Sequence, residues 1–142
     1  MKEDILGYQV ETLSVDRCAD DVFSVVRGRA VSQRGCAWLA CLNPHSYAVA
    51  INDAAFAEAL RDAEWLVPDG AGIVMASRLL GGCITERVTG SAFFRALLER
   101  MNAAGGMSVF FLGASEETLA LIRARMAKEF PRVRVAGTYS PP

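Results

Sequence analysis

The feature that most constrains this chain is an alternation of short, mostly apolar runs with longer amphipathic stretches. Cys36–Leu42 (CAWLACL), Trp65–Val67, Ser108–Leu112 (SVFFL) and Val133–Gly137 are each too short for a helix. Their near-continuous apolarity suits strands covered on both faces, as in a parallel sheet. Between them the spacing predicts helices. Val15–Gln33 carries Val22, Val25, Val26 and Arg29 near one face, with Gly35 after its end. Asn43-Pro44 opens a helix through Tyr47, Val49 and Ala50, since asparagine caps well and proline fits the first helical position. Ala54–Ala63 and Gly72–Leu80 follow, the latter stopped by Gly81-Gly82. Ser91–Ala104 is the clearest helix, with Phe94, Leu97, Leu98 and Met101 at helical spacing. Ser115 caps a last helix that carries Leu119, Ile122, Met126 and Phe130 on one stripe and ends at Pro131. Ile5–Leu13 reads as a β-prone entry segment. Strands alternating with helices imply βαβ units, hence an α/β fold with a Rossmann-like parallel sheet flanked by helices. With 142 residues the expectation is one domain over residues 1–142.

Composition removes several function classes. Fifteen basic and 16 acidic side chains leave a net charge of −1, which supplies no electrostatic basis for nucleic-acid binding. The four cysteines (Cys18, Cys36, Cys41, Cys83) form no C-x-x-C pair and His45 is the single histidine, a poor supply of zinc ligands. They read as buried thiols of a reducing cytoplasm. Met1-Lys2-Glu3-Asp4 lacks the character of a secretory signal. The uncharged stretch from Gly35 to Asn52 is interrupted by Asn43, Pro44, His45, Ser46 and Asn52, which argues against a membrane span and leaves peripheral membrane contact open.

Ligands of parallel α/β sheets gather beyond the carboxyl ends of the strands. Asn43, Asp69 and Gly113 each follow a predicted strand, and on neighbouring strands they would face one crevice. Asp69 can serve as a general base on a sugar hydroxyl, or Pro68-Asp69-Gly70 can be a turn in which Asp69 only caps the next helix. Arg87 can hold a diphosphate through its forked guanidinium, or pair with Glu86 at the surface. Asn43 can bind a uracil, ribose or sugar, and a capping role does not exclude that. His45 in a first helical turn reads more simply as a surface or packing residue than as a base. Gly113 would allow a phosphate to approach a helix N-terminus. The Phe93-Phe94 pair reads as core. Neither G-x-G-x-x-G nor a Walker A sequence occurs, and no Asp-x-Asp pair is present to hold a divalent metal beside a diphosphate. No cofactor is expected, and charge neutralisation would fall to arginine and backbone N–H groups.

Four segments in order carry a family resemblance: Leu42-Asn43-Pro44-His45-Ser46, Trp65-Leu66-Val67-Pro68-Asp69-Gly70-Ala71-Gly72-Ile73-Val74, Glu86-Arg87-Val88-Thr89-Gly90 and Val109-Phe110-Phe111-Leu112-Gly113. Together they resemble the T-x-N, PDG-x-G, E-R-V-x-G and strand-glycine elements of the WecG/TagA/CpsF glycosyltransferases. The resemblance implies a metal-independent inverting transferase. It would move an N-acetylmannosamine-type or related sugar from a UDP-sugar donor to a polyprenyl-diphosphate-linked acceptor, in teichoic acid or other cell-surface polysaccharide synthesis. It also implies Asp69 as the catalytic base, and Cys41, Asn43, Arg87 and Gly113 as substrate-binding positions. Cys41 stands where the family has threonine, replacing a hydroxyl with a weaker donor. The chain closes at Thr138-Tyr139-Ser140-Pro141-Pro142, before the family's G-x-P-x-Q-E-type segment and basic C-terminal region. The expectation is therefore an N-terminal portion of the family domain with an incomplete sheet. Its open edges favour self-association, and its place is the cytoplasm, at the inner face of the membrane. The competing expectations are a catalytically inactive module for nucleotide-sugar binding or oligomerisation, and an unrelated α/β enzyme using Asp69 and His45 as acid and base.

Overall fold

The computed structural model describes residues 1–29 and 35–142. The chain divides into two compact units, Met1–Phe94 and Arg95–Pro142.

The first unit opens with a hairpin of β1 (Lys2–Ile5) and β2 (Tyr8–Glu11), paired antiparallel from Lys2↔Glu11 to Ile5↔Tyr8. The sequence suggested one segment, because Leu6 gives no turn signal. Leu6 and Gly7 both take positive φ (53° and 87°), the two-residue turn whose twist matches that of a hairpin. Asp4 Oδ1 accepts from the Gly7 N–H at 3.0 Å and fixes it. Helix α1 (Val15–Arg29) follows, and the rest of the predicted helix, to Gln33, lies outside the described residues.

The structural centre of this unit is the parallel pair β3 (Leu39–Leu42) and β4 (Trp65–Pro68), in register from Leu39↔Trp65 to Leu42↔Pro68. Helices α2 (Pro44–Asn52), α3 (Ala54–Arg61) and α4 (Ala71–Leu79) complete the α/β layering. Strand residues alternate between faces. Leu42 and Leu66 enter a core with Ile5, Val10, Leu60, Ile73 and Ile84. On the opposite face the Trp65 indole N–H donates to Asp21 of α1 at 2.8 Å. The buried side of α1 is Cys18, Ala19 and Val22, while Val26 is 43% exposed. The buried face is thus rotated from the predicted valine face: Val22 stays on it, and Cys18 and Ala19 take the place expected of Val26.

Helix α5 (Gly90–Ala104) runs across the boundary between the units. It buries Phe93, Ala96, Leu98 and Met101 and leaves Phe94 39% exposed, so the expected stripe is shifted by one residue at its start. The second unit pairs β5 (Ser108–Leu112) in parallel with β6 (Arg134–Tyr139) through α6 (Glu116–Glu129). Its helix cap is Ser115, which accepts from the Thr118 N–H, as the sequence suggested. Arg132 donates to the Ala103 and Ala104 carbonyls at 2.8 and 3.2 Å, satisfying acceptors that the end of α5 leaves open. The α/β class and the parallel pairing agree with the sequence reading. Among the described residues, however, the strands form separate two-stranded sheets.

Leu66 is 1% exposed in the core. Leu66→Ala is expected to cost about 2–5 kcal/mol of unfolding free energy, measured by urea denaturation.

Candidate active site

The register of β3 and β4 decides where the chain delivers its polar residues. Because Leu42 pairs with Pro68, Asn43 and Asp69 leave the strand pair at the same level. The Asp69 N–H donates to the Leu42 carbonyl at 2.8 Å and extends the ladder by one bond. From the other side, the Val88 N–H donates to the Pro68 carbonyl at 2.7 Å. That bond draws the Glu86–Gly90 segment against the end of β4, so that Arg87 and Asp69 each lie one residue from a directly bonded pair.

Asn43 is the N-cap of α2. Its Oδ1 accepts from the Ser46 N–H at 2.8 Å, and Ser46 Oγ accepts from the Asn43 N–H at 2.8 Å, a reciprocal capping box. The carbonyl half of the amide is thus occupied. Its nitrogen has no partner among the described residues and can donate to a ligand.

Asp69 does not cap α4. The N-cap is Gly70, with φ of 99°, and it makes no side-chain capping bond. A backbone in that region favours glycine, which explains the glycine directly after the aspartate. Half-buried Asp69 accepts no side-chain hydrogen bond from the described residues. Gly72 permits a further close approach: a Cβ there would lie 2.6 Å from Pro44 Cγ. The starts of α2 and α4 therefore pack together beside the strand ends.

Cys41 is half-buried on the α1 face, the face that also carries Trp65 and Val67. A Cβ on Gly90 would meet its Sγ at 3.5 Å. Burial pushes the thiol above its ordinary range, the Asp69 carboxylate pushes it further, and the Gly90 N–H acts in the opposite sense. At neutral pH the side chain is therefore a neutral thiol.

Arg87 is exposed and forms no ion pair with Glu86 or another acid among the described residues. His45 is exposed in the first turn of α2. Gly113 closes the β5–β6 pair in the second unit, with φ of 111°, and its N–H donates to the Tyr139 carbonyl at 2.9 Å. Asn43 and Asp69 thus share one strand-pair end, and Gly113 belongs to another. Sequence reasoning did not single out Gly70, Gly72 or Gly90 as site-forming residues. Their signal was present in PDG-x-G and E-R-V-x-G: Gly70 takes a positive φ, Gly72 makes room for Pro44, and Gly90 lies beside the Cys41 sulfur.

A carboxylate and an amide at the carboxyl end of a parallel strand pair define an α/β domain with its polar groups at the usual ligand position. The chain belongs to the glycosyl transferase WecG/TagA/CpsF family, whose sequence profile matches residues 3–142. It is similar to a Bacillus spizizenii protein named N-acetylglucosaminyldiphosphoundecaprenol N-acetyl-beta-D-mannosaminyltransferase. The two are 31% identical over 101 residues, covering 71% of this chain and 39% of that one. A Bacillus subtilis protein of the same name is 28% identical over 107 residues (75% and 41%). A Staphylococcus aureus one is 22% identical over 135 residues (95% and 52%). The aligned region thus amounts to between two fifths and about half of these relatives' length.

Asn43→Ala is expected to lower the unfolding free energy by about 1 kcal/mol. Asn43→Asp, which keeps the capping acceptor and removes the amide donor, should stay near wild type in the same urea titration.

Proposed function

We propose that this chain carries the donor-side catalytic elements of a metal-independent, inverting glycosyltransferase. The reading rests first on Asp69: a half-buried carboxylate at a strand end, free of any capping duty, beside the Asn43 amide and the segment that bears Arg87. The donor is a UDP-linked N-acetylmannosamine-type sugar. The acceptor is a polyprenyl-diphosphate-linked sugar, the chemistry named for the Bacillus and Staphylococcus relatives. A lipid-linked acceptor sets the reaction at the inner face of the membrane, with peripheral contact.

In this mechanism Asp69 takes the proton of the acceptor hydroxyl as its oxygen attacks the anomeric carbon. The bond from that carbon to the UDP oxygen breaks, its electron pair leaves with UDP, and one displacement inverts the configuration. Arg87, with its forked donors, stabilises the charge gathering on the diphosphate. The Asn43 amide N–H binds an oxygen of the donor, and Cys41 is a further substrate-binding position by the family resemblance. The absence of an Asp-x-Asp pair in the sequence favours charge neutralisation by arginine.

The test is UDP release by the full chain from a UDP-N-acetylhexosamine with a lipid-linked acceptor. Asp69→Asn is expected to reduce kcat by about 10²–10⁴-fold and to leave UDP binding intact. Arg87→Ala should weaken UDP binding, and Arg87→Lys should rescue it incompletely, because lysine cannot make the bidentate contact. UDP binding with no turnover in the wild type would replace this reading with a non-catalytic nucleotide-sugar-binding module.

A further inference from the structure

We propose that Glu3 is a positioning residue for Arg87: the β1 carboxylate grips the Gly81–Ile84 loop and so fixes one end of the segment that carries the guanidinium. The inference deepens the glycosyltransferase reading and rests on it for what Arg87 does.

Between α4 and α5 the chain runs from Leu80 to Thr89 without helix or strand. Such a stretch is held in place by the bonds that neighbouring elements make to it. Glu3 Oε2 accepts from the Cys83 N–H at 2.6 Å, the short distance expected of an ionised acceptor. One residue on, the Ile84 N–H donates to Ser77 Oγ of α4 at 3.1 Å. The Gly82 N–H donates to the Ser77 carbonyl at 2.7 Å. At the far end the Val88 N–H donates to the Pro68 carbonyl. Ile84 and Val88 are buried, and Thr85, Glu86 and Arg87 are exposed between them. Arg87 therefore sits on a short bridge with an anchor at each end.

The position of Glu3 is unusual for a carboxylate. It lies two residues before Ile5 on β1, so both side chains leave the same face, and Ile5 enters the core. A charge on that face is costly unless it is hydrogen-bonded. Burial raises the Glu3 pKa, but hydrogen bonds from Ser77 and Cys83 outweigh it and hold the carboxyl below its ordinary range. The carboxylate reaches the loop because residue 82 is glycine: a Cβ there would lie 2.5 Å from Glu3 Oε1. Glu3 and Gly82 thus make one contact that either residue alone can break.

The first half of the test needs no ligand, so it is decided separately from the transfer reaction. It uses amide spectra and heteronuclear 15N NOE values of the full 15N-labelled chain. In Glu3→Ala the Cys83 amide proton is expected to move upfield, and the NOE of Glu86 and Arg87 to fall. Gly82→Ala, which displaces the carboxylate and leaves Glu3 in the sequence, should do the same. Unmoved Leu42 and Asp69 amides show that the fold is kept. Glu3→Gln retains an acceptor oxygen and should restore most of the NOE. In the second half, Glu3→Ala should raise the Kd for UDP several-fold. Added to Arg87→Ala, it should weaken UDP binding no further, because both changes remove one contact. Unchanged Glu86 and Arg87 NOE values in folded Glu3→Ala would overturn the proposal. So would an unaltered UDP affinity in that variant, or losses that multiply in the double variant. If the NOE changes appear and the wild type binds no UDP, the transferase reading is lost and the Glu3 anchor of the Arg87 segment is retained.

Discussion

Everything proposed for this chain depends on the parallel pairing of β3 with β4 and on the two backbone hydrogen bonds that finish it. The register brings Leu42 opposite Pro68. Asp69 N–H to Leu42 carbonyl and Val88 N–H to Pro68 carbonyl then fasten three separate stretches of sequence at one level. Slipping the register by one residue would turn Leu66 out of its core and Trp65 away from Asp21, because strand side chains alternate. The packing of the core and the placement of the polar residues are therefore one constraint.

Around this junction the helix starts act as fixed points. The capping box at Asn43 commits one side of the amide to local structure and leaves the other side available. Gly70 and Gly72 let α4 begin immediately after Asp69 and against Pro44. A general base must be held at a set distance from its substrate. A short segment between a paired strand and a packed helix holds it better than a free loop would.

Much of this was legible in the sequence. The apolar runs marked three of the four parallel strands closely, and Asn43-Pro44 and Ser115-Glu116-Glu117 marked helix starts that the structure shows as capped. The α1 and α5 faces differ from the apolar periodicity because the smaller residues Cys18, Ala19 and Ala96 are buried while Val26 and Phe94 are exposed. The hairpin turn at Leu6-Gly7 was hidden because a leucine with positive φ has no sequence signature. Which residues share a strand-pair end was also beyond the sequence, since pairing partners are set by long-range packing. Asn43 and Asp69 share one, while Gly113 closes the β5–β6 pair.

Amide chemical shifts of the 15N-labelled chain during a UDP titration test the central claim most directly. If the β3–β4 junction is the donor site, the amides of Cys41 to Ser46, Asp69 to Gly72 and Arg87 to Gly90 should move together along one saturation curve. Saturable shifts confined to other segments, with these three unmoved, would contradict it.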